Sequence, residues 1–366
     1  MINRRRFIFT GAAAVASTTT ISGCAMSDSF TLKTKELWAE RKAAENHDIE
    51  YLVHYATLAA NNHNTQSWLF QRRGPSVEIL PDFERATPIV DPRANHLYAS
   101  LGCAAENLAL AAGANKIASK IQFVGDQRSG KVVVDLGDQG TGHKDPLFDA
   151  ITKRQSTRSL YDGNEVPNSE LELIEAAAAI EGCQLHFITE KKRIETALEF
   201  TISANSVQVK DEAYKEELKD WIRFSKGRAI KTSDGLYAAC SGNPTMPEFM
   251  GKLMFDMFFT VDGENKKYTE QIRSAAGLAI LVAEDEKPEN YVAVGRAYQR
   301  FALEATRLGI KTSLINPAIE VEGVREALAT WLGVRGQHPA LLIRYGYAPE
   351  MPFSLRRPVE DVIISA

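Results

Sequence analysis

The sequence predicts a mixed α+β chain built from two related halves. Three observations predict this: helical and strand-like runs alternate, one helix motif recurs at a long offset, and two polar motifs occur once each, one per half. The 366 residues, 44% hydrophobic and 25% charged, suffice for a fused double domain and match ordinary globular proteins in composition. The formal net charge is −4, and the body of the chain has no block of Lys and Arg. A phosphate-backbone binder needs a basic stripe, so nucleic acid is not an expected partner.

The first residues differ from the rest. Arg5-Arg6 stands before Phe7 and Ile8, and a short, mildly apolar stretch with a Thr run follows. This resembles a twin-arginine export signal, and it is too short and too rich in Thr to span a bilayer. It ends at Ile21-Ser22-Gly23-Cys24, which resembles the lipobox of bacterial lipoproteins. The expectation is export by the twin-arginine route, with the mature protein periplasmic or membrane-anchored through a lipid on Cys24. A plain cleaved signal with Cys24 incidental is the alternative. The organisation expected is a signal over 1–24, a polar tether over 25–44 running into a helix, a first half over 45–145 and a second over 146–366.

Helical patterning covers 49–60, 99–112, 168–179 and 193–209. Strand-like runs cover 77–80, 131–136, 184–188, 278–282 and 340–345. Residues 102–112 and 295–305 share the pattern Gly-x-Ala-x-x-x-(Leu/Phe)-Ala-Leu-x-Ala, from Gly102 to Gly295 an offset of 193 residues. Each copy follows a strand-like run. Small residues three and four apart let a helix approach a twin closely, so the repeat reads as a duplicated half. The segment 125–132 nearly spells a phosphate-binding P-loop, but it lacks the final Ser or Thr and runs into a strand, so it reads as a hairpin turn. Cys103, Cys183 and Cys240 are scattered and receive no role. The seven histidines, among them His47 and His63, show no metal spacing.

Two motifs carry chemistry. The first is Asn61-Asn62-His63-Asn64-Thr65-Gln66-Ser67-Trp68. Carboxamides donate and accept, so a loop dense in Asn and Gln suits a heterocycle with alternating acceptors and N–H groups. On composition alone, a helix C-cap and turn is the favoured account. The second is Arg154-Gln155-Ser156-Thr157-Arg158, with Tyr161 beyond. Two guanidinium forks and a hydroxyl can converge on one anion. In isolation, a solvated basic turn at a helix end also explains it.

Taken together, these motifs resemble the FMN-dependent nitroreductases. Arg154-x-Ser156-x-Arg158 is similar to that family's phosphate-binding opening, and Asn64-Thr65-Gln66-Ser67-Trp68 to its Asn-x-Gln-Pro-Trp flavin loop. The run from Leu341 through Arg344-Tyr345-Gly346 to Arg356-Arg357-Pro358 resembles its last strand and closing Arg-x-Pro segment. The resemblance implies a nitroreductase fold of two degenerate half-domains fused as a pseudo-dimer, similar to the dormancy-associated mycobacterial nitroreductase-like proteins. It also implies FMN as cofactor, its phosphate held by Arg154, Ser156, Arg158 and Arg356. Asn61, Asn62 and Asn64 would face the ring, with Gln66 supporting the loop. Family members are usually homodimers with sites across the interface, but here each half keeps only one motif. Residues 180–186 stand where the second half would carry its own Asn-x-Gln loop, so one FMN per chain is expected. Ser67 replaces the family's Pro, and Ala60-Asn61 its Pro-Ser.

The implied activity is two-electron transfer through FMN to an electrophilic small molecule such as a quinone or nitro compound. No catalytic side-chain acid or base is required. The alternative is a flavin-binding protein with little turnover. An exported protein would need an electron donor other than cytoplasmic NAD(P)H, and the sequence does not name one. Residues 234–244 and the Met- and Phe-rich 246–259 read either as a lid over the flavin or as a core helix.

Overall fold

A computed structural model of the chain describes residues 29–43 and 48–365. The expected signal and lipobox at 1–24, part of the tether, and His47 lie outside these residues. A helix over 29–37 (α1) and α2 (Ile49–Thr57) lead into β1 (Trp68–Arg73) and β2 (Ser76–Pro81). The long α3 (Asn95–Ala114) follows, then β3 (Ile117–Val124) and β4 (Lys131–Gln139). A second passage begins with α4 (Asn168–Ala178) and β5 (Cys183–Ile188). It is interrupted by α5 (Lys191–Gln208), α6 (Glu212–Trp221), β6 (Ile222–Arg223), α7 (Lys226–Thr232), β7 (Leu236–Tyr237), α8 (Glu248–Phe258) and α9 (Val261–Arg273). It resumes as β8 (Gly277–Ala283), α10 (Pro288–Arg307), β9 (Lys311–Leu314), α11 (Pro317–Glu320), α12 (Glu322–Leu332) and β10 (His338–Gly346). The short β11 (Ile363–Ile364) closes the chain.

The sheets reveal the repeat more fully than the helix motif did. One has the order β11-β1-β2-β4-β3 and the other β5-β8-β10-β9. Without β11, each is the same antiparallel unit: two strands, a helix, two strands, with the third strand at the edge. The turn between β1 and β2 in one unit corresponds to the whole insertion, residues 189–276, in the other. The chain beyond β10 crosses back, so β11 extends the first sheet, with Phe70 opposite Ile363 in parallel register. The second half as bounded at 146–366 therefore gives its last strand to the first.

Alternation explains the layering. In β8, Leu278, Ile280 and Val282 face one cluster with Ile194, Leu198 and Leu328 from α5 and α12. Ala279, Leu281 and Ala283 face the opposite cluster, with Phe301 and Tyr298 of α10. This strand is buried along its whole length, because the insertion covers the sheet's outer face. In the first sheet, Trp68, Phe70, Val77, Ile79, Val132 and Val134 point into the core. The partly exposed residues between them mark an antiparallel sheet with one wet face.

The two central helices hold the units together at glycine contacts. A Cβ on Gly102 of α3 would meet the Val292 carbonyl oxygen of α10 at 2.1 Å, and a Cβ on Gly295 would meet the Ala99 oxygen at 1.9 Å. Positions 99 and 292 differ by the same 193 residues as 102 and 295, so each contact is the other with the roles exchanged. One turn on, Arg300 Nη1 donates to Glu106 Oε1 at 2.9 Å and Gln299 Nε2 to Asn107 Oδ1 at 2.7 Å, again an exchanged pair. Residue i meeting j while j meets i is the pattern of a two-fold interface, here within one chain.

Every helix and strand expected from the sequence is present, most with ends shifted by one to three residues. The helix at 99–112 begins at Asn95. The strands β1, β3 and β9 and most of the insertion were not anticipated. The P-loop-like segment is the β3–β4 turn, where Asp126 Oδ1 accepts from the Arg128 and Ser129 amides at 2.8 and 3.0 Å. The tether is partly structured, since Phe30 and Trp38 at α1 are buried.

Replacing Gly with Ala inside a helix is intrinsically favourable by ~1 kcal/mol. At Gly102 and Gly295 the new methyl would strike backbone oxygen, and overpacking of this kind costs ~1–3 kcal/mol. Gly102→Ala should therefore lower unfolding free energy, measured by urea titration. Gly323→Ala in α12, with no neighbour within 4 Å, should leave it unchanged or raise it.

Candidate functional site

The Asn-rich loop leaves the C-terminus of α2 in a strained conformation. His63, Asn64 and Gln66 have φ of 44°, 53° and 54°, the left-handed region that costs any residue with a side chain and costs Asn least. The strain persists because the loop is tied from several sides. The Gln66 amide donates to Asn61 Oδ1 at 2.9 Å, and Thr65 N to Asn62 O at 2.8 Å. Asn64 Nδ2 donates to the carbonyls of Gly235 and Leu355 at 3.0 and 3.1 Å. Gln66 Nε2 donates to Ser233 O at 2.9 Å, while its Oε1 accepts from the Arg357 amide at 2.7 Å.

Two buried arginines occupy the end of α2, where the last carbonyls lack helical partners and the helix dipole is negative. Arg356 Nε reaches Thr57 O at 2.8 Å, Arg154 Nη2 reaches Leu58 O at 3.0 Å, and Arg356 Nη2 reaches Ala59 O at 3.2 Å. Arg356 Nη1 also donates to Asn64 Oδ1 and Ser354 Oγ at 2.8 and 2.7 Å. Burial, with the Arg154 charge beside it, brings the Arg356 guanidinium down to about 9.

The segment after Arg154 is fixed by the second sheet. Thr157 N donates to Thr312 O of β9 at 2.9 Å. Arg344 of β10 donates to Thr157 O and Ser159 O at 3.0 and 2.9 Å, and Gln271 of α9 to Arg158 O at 3.1 Å. Ser156 and Arg158 thereby line a cleft between the two units. Its lining includes Asn61 and Asn64 from the first unit, Arg154, Ser156 and Arg158 from the second, and Arg356 from the returning C-terminal segment. Among the described residues, no Asp or Glu lines it. Arg154 Nε is buried without a hydrogen-bond partner. Among the described residues, the Arg158 guanidinium has neither an acidic partner nor a hydrogen-bond acceptor. Burial lowers both arginines' affinity for protons. Burial also pushes the Cys240 thiol in the wall up to about 12, so it is no thiolate at neutral pH.

Six of the eight expected site residues thus meet in one cleft. Asn62 does not join them: its Nδ2 turns to Thr87 Oγ1 at 2.8 Å, because the left-handed step at His63 rotates it away. Gln66 lies fully behind the loop, in the supporting role expected of it. Arg356 reaches the cleft wall but spends most of its donors on α2 and Asn64, so it shapes the site more than it offers itself to a ligand. Of the segment read as either a lid or a core helix, 234–244 reaches the cleft wall through Gly235–Ser241, whereas 246–259 is not in the lining and is largely exposed, so it is no core helix. The sequence reading missed Trp38 and Phe353 in the wall, while Tyr237 falls in the 234–244 segment offered as a possible lid. Trp38 Nε1 donates to Ser354 O at 2.9 Å, and the Arg356 guanidinium lies 5.2 Å from its ring centroid. Two aromatic residues in an otherwise polar tether were the available signal.

Residues 151–347 match the pattern of the nitroreductase family. Proteins provisionally named NAD(P)H nitroreductases from two strains of Mycobacterium tuberculosis, CDC 1551 / Oshkosh and H37Rv, are each 24% identical over 322 residues. The match spans 84% of this chain and 88% of each relative. Among solved structures, a nitroreductase with bound FMN from Bacteroides fragilis matches with a TM-score of 0.36 and 17% identity, covering 58% of this chain and 94% of that one. An FMN-dependent nitroreductase from Mycobacterium smegmatis in complex with NADPH matches at 0.38 and 14%, covering 56% and 92%.

Two histidines give the fold a pH signature. Burial foremost, and then the charge of Arg158, brings His63 down to about 4; burial and Arg41 bring His54 of α2 to about 4. Both stay neutral in the folded chain, while the unfolded chain takes up protons near pH 6.5. The unfolded state binds more protons between these values, so stability is full above pH ~6.5 and falls as the pH drops toward 4. Denaturant titrations from pH 7 to 5 should show this slope, and His54→Leu should make it shallower.

Proposed function

We propose that this chain, which belongs to the nitroreductase family, binds one FMN in the cleft between its two units and uses it for two-electron transfer to an electrophilic small molecule. The observation that carries this reading is the uncompensated positive charge of the cleft. Guanidinium charge withdrawn from water without an anionic partner is costly, and here the partly buried Arg158 and the buried Nε edge of Arg154 flank the Ser156 hydroxyl, with no carboxylate among the described lining residues. A phosphate monoester supplies the missing charge and acceptors, and matches a planar donor fork.

When bound, FMN supplies hydride acceptance and donation at its ring. The chain's own residues do the rest. Arg154, Ser156 and Arg158 would hold the phosphate. Asn61 keeps one amide hydrogen for the heterocycle, whereas Asn64, expected to face the ring, spends both of its amide hydrogens on Gly235 and Leu355 and its oxygen on Arg356, so it shapes the wall instead. Arg356 and Gln66 fix the loop that carries both asparagines. Trp38, Tyr237 and Phe353 narrow the cleft and limit water. The hydride transfer itself needs no side-chain acid or base. Both units are required, which supports a fused duplication of a dimeric ancestor with one site kept. The α4–β5 connection, where a second Asn loop would stand, has none.

We also place the mature protein outside the cytoplasm, exported by the twin-arginine route and anchored through Cys24. That route carries folded, loaded proteins, and it implies a donor other than cytoplasmic NADPH. The reading is tested by mixing the flavin-loaded chain anaerobically with NADPH and then with dithionite. Reduction by dithionite but not by NADPH supports an external donor; rapid, saturable reduction by micromolar NADPH contradicts it. Hydrogen bonds to a charged group are worth ~1.5–3 kcal/mol, so Arg158→Ala should weaken FMN binding ~10- to 150-fold. An unchanged dissociation constant by fluorescence titration would remove Arg158 from the site. Stability should barely change, because among the described residues that guanidinium touches no acceptor.

A further inference from the structure

We propose that α8 docks on a lipid bilayer, with its apolar face in the acyl boundary and the neighbouring cations on anionic headgroups. In α8, Phe249, Leu253, Met257 and Phe258 are 74%, 58%, 59% and 61% exposed, and Met250 and Met254 are also exposed. The spacing, in pairs four apart, lays six large apolar side chains along one broad stripe of the helix. Scattered exposed apolar residues need no explanation, but a contiguous patch of this kind does. Gly251 alone in the helix is buried, pressed onto Phe224 so closely that a Cβ would meet its ring carbon at 2.3 Å. The helix is therefore held by its back, with its apolar front outward. Its two acids face elsewhere: Glu248 accepts from the Ser225 amide and hydroxyl at 2.8 Å, and Asp256 pairs with Lys219 at 2.8 Å.

Charge and chain path select a membrane as the occupant. The Glu248–Ser225 contacts tie α8 to the start of α7, which carries Lys226, Arg228 and Lys231 and no acid. Arg228, Lys231 and Lys252 are exposed, and none pairs with a carboxylate among the described residues. Juxtamembrane cations of this kind are attracted by anionic lipid. The helix α1 packs on the same region: Phe30 meets Tyr237 at 4.9 Å between ring centroids, and Tyr237 sits opposite Arg223, the residue before Phe224. Leu32 of α1 is 66% exposed. Cys24, the lipobox cysteine, precedes Ser29 by five residues, a reach of at most ~18 Å. A lipid there and α8 can therefore share one surface. Among the described residues no helix is long and apolar enough to cross a membrane, so α8 would lie in the interface. The same insertion supplies Tyr237 and Cys240 to the cleft wall, which favours a reactant dissolved in the bilayer.

The test uses the full chain with Cys24→Ser, so that failure of lipidation and failure of docking are separated. It is sedimented with vesicles of phosphatidylethanolamine and phosphatidylglycerol at 3:1, and with phosphatidylcholine alone. The expected result is binding to the anionic vesicles, weaker binding to phosphatidylcholine, and at least ~10-fold loss with Leu253→Glu plus Met257→Glu. Phe249→Trp should be quenched by brominated acyl chains. Both substituted leucine and methionine side chains are exposed, so folding should survive, as circular dichroism will report. No vesicle binding, or binding unaffected by the glutamates, overturns the proposal. So does a glutamate pair that converts a dimer to a monomer without changing vesicle binding, which would assign the face to a second copy of the chain.

Discussion

The close approach of α3 and α10 is the constraint on which the rest depends. Two glycines bring helix backbones to a distance that no side chain permits, and they do so reciprocally. Once the axes are fixed, each helix presents its own four-stranded sheet, and the C-terminus of α2 comes to face the segment after Arg154. The cleft belongs to neither unit alone. Its floor is made where one unit's helix end meets the other unit's arginines, so any slip between α3 and α10 would separate Asn64 from Arg158.

The cleft combines two features that a structure selected for stability alone would avoid. One is a loop with three left-handed residues other than glycine in four positions, held by Arg356, Asn61 and Gln66. The other is buried positive charge without a carboxylate to balance it. Arg356 is already forced down by its surroundings, and an approaching dianion would relieve that burden for all three arginines together. Strain in the loop and unbalanced charge in the clamp converge on the same space, which is why an anionic, heterocyclic ligand accounts for both.

Much of this was legible in the sequence, for identifiable reasons. Helix and strand positions followed from apolar periodicity, and β8 from an uninterrupted apolar run. The duplication showed only in the α3 and α10 motif, because glycine contacts conserve residue type while sheet strands conserve only alternation. Arg154, Ser156 and Arg158 could be grouped by spacing, since the chain is extended between two anchors there. Asn62 could not be separated from Asn61 and Asn64, because the turn at His63 that rotates it away leaves no mark in composition. Trp38 was invisible as a site residue because tertiary contacts, across some two hundred residues, bring it to the same cleft wall as Tyr237. The outward face of α8 was read as a lid or a core for the same reason. An apolar stripe announces burial, and it does not say against what.

The central claim, one flavin site built jointly by two unequal units, is tested most directly by titrating the purified flavin-free chain with FMN and measuring stoichiometry with mass. The account predicts saturation at one FMN per chain in a single class of sites. Two FMN per chain would mean that each unit completes its own site, and no binding would leave the charged cleft to some other anion; either would contradict the account.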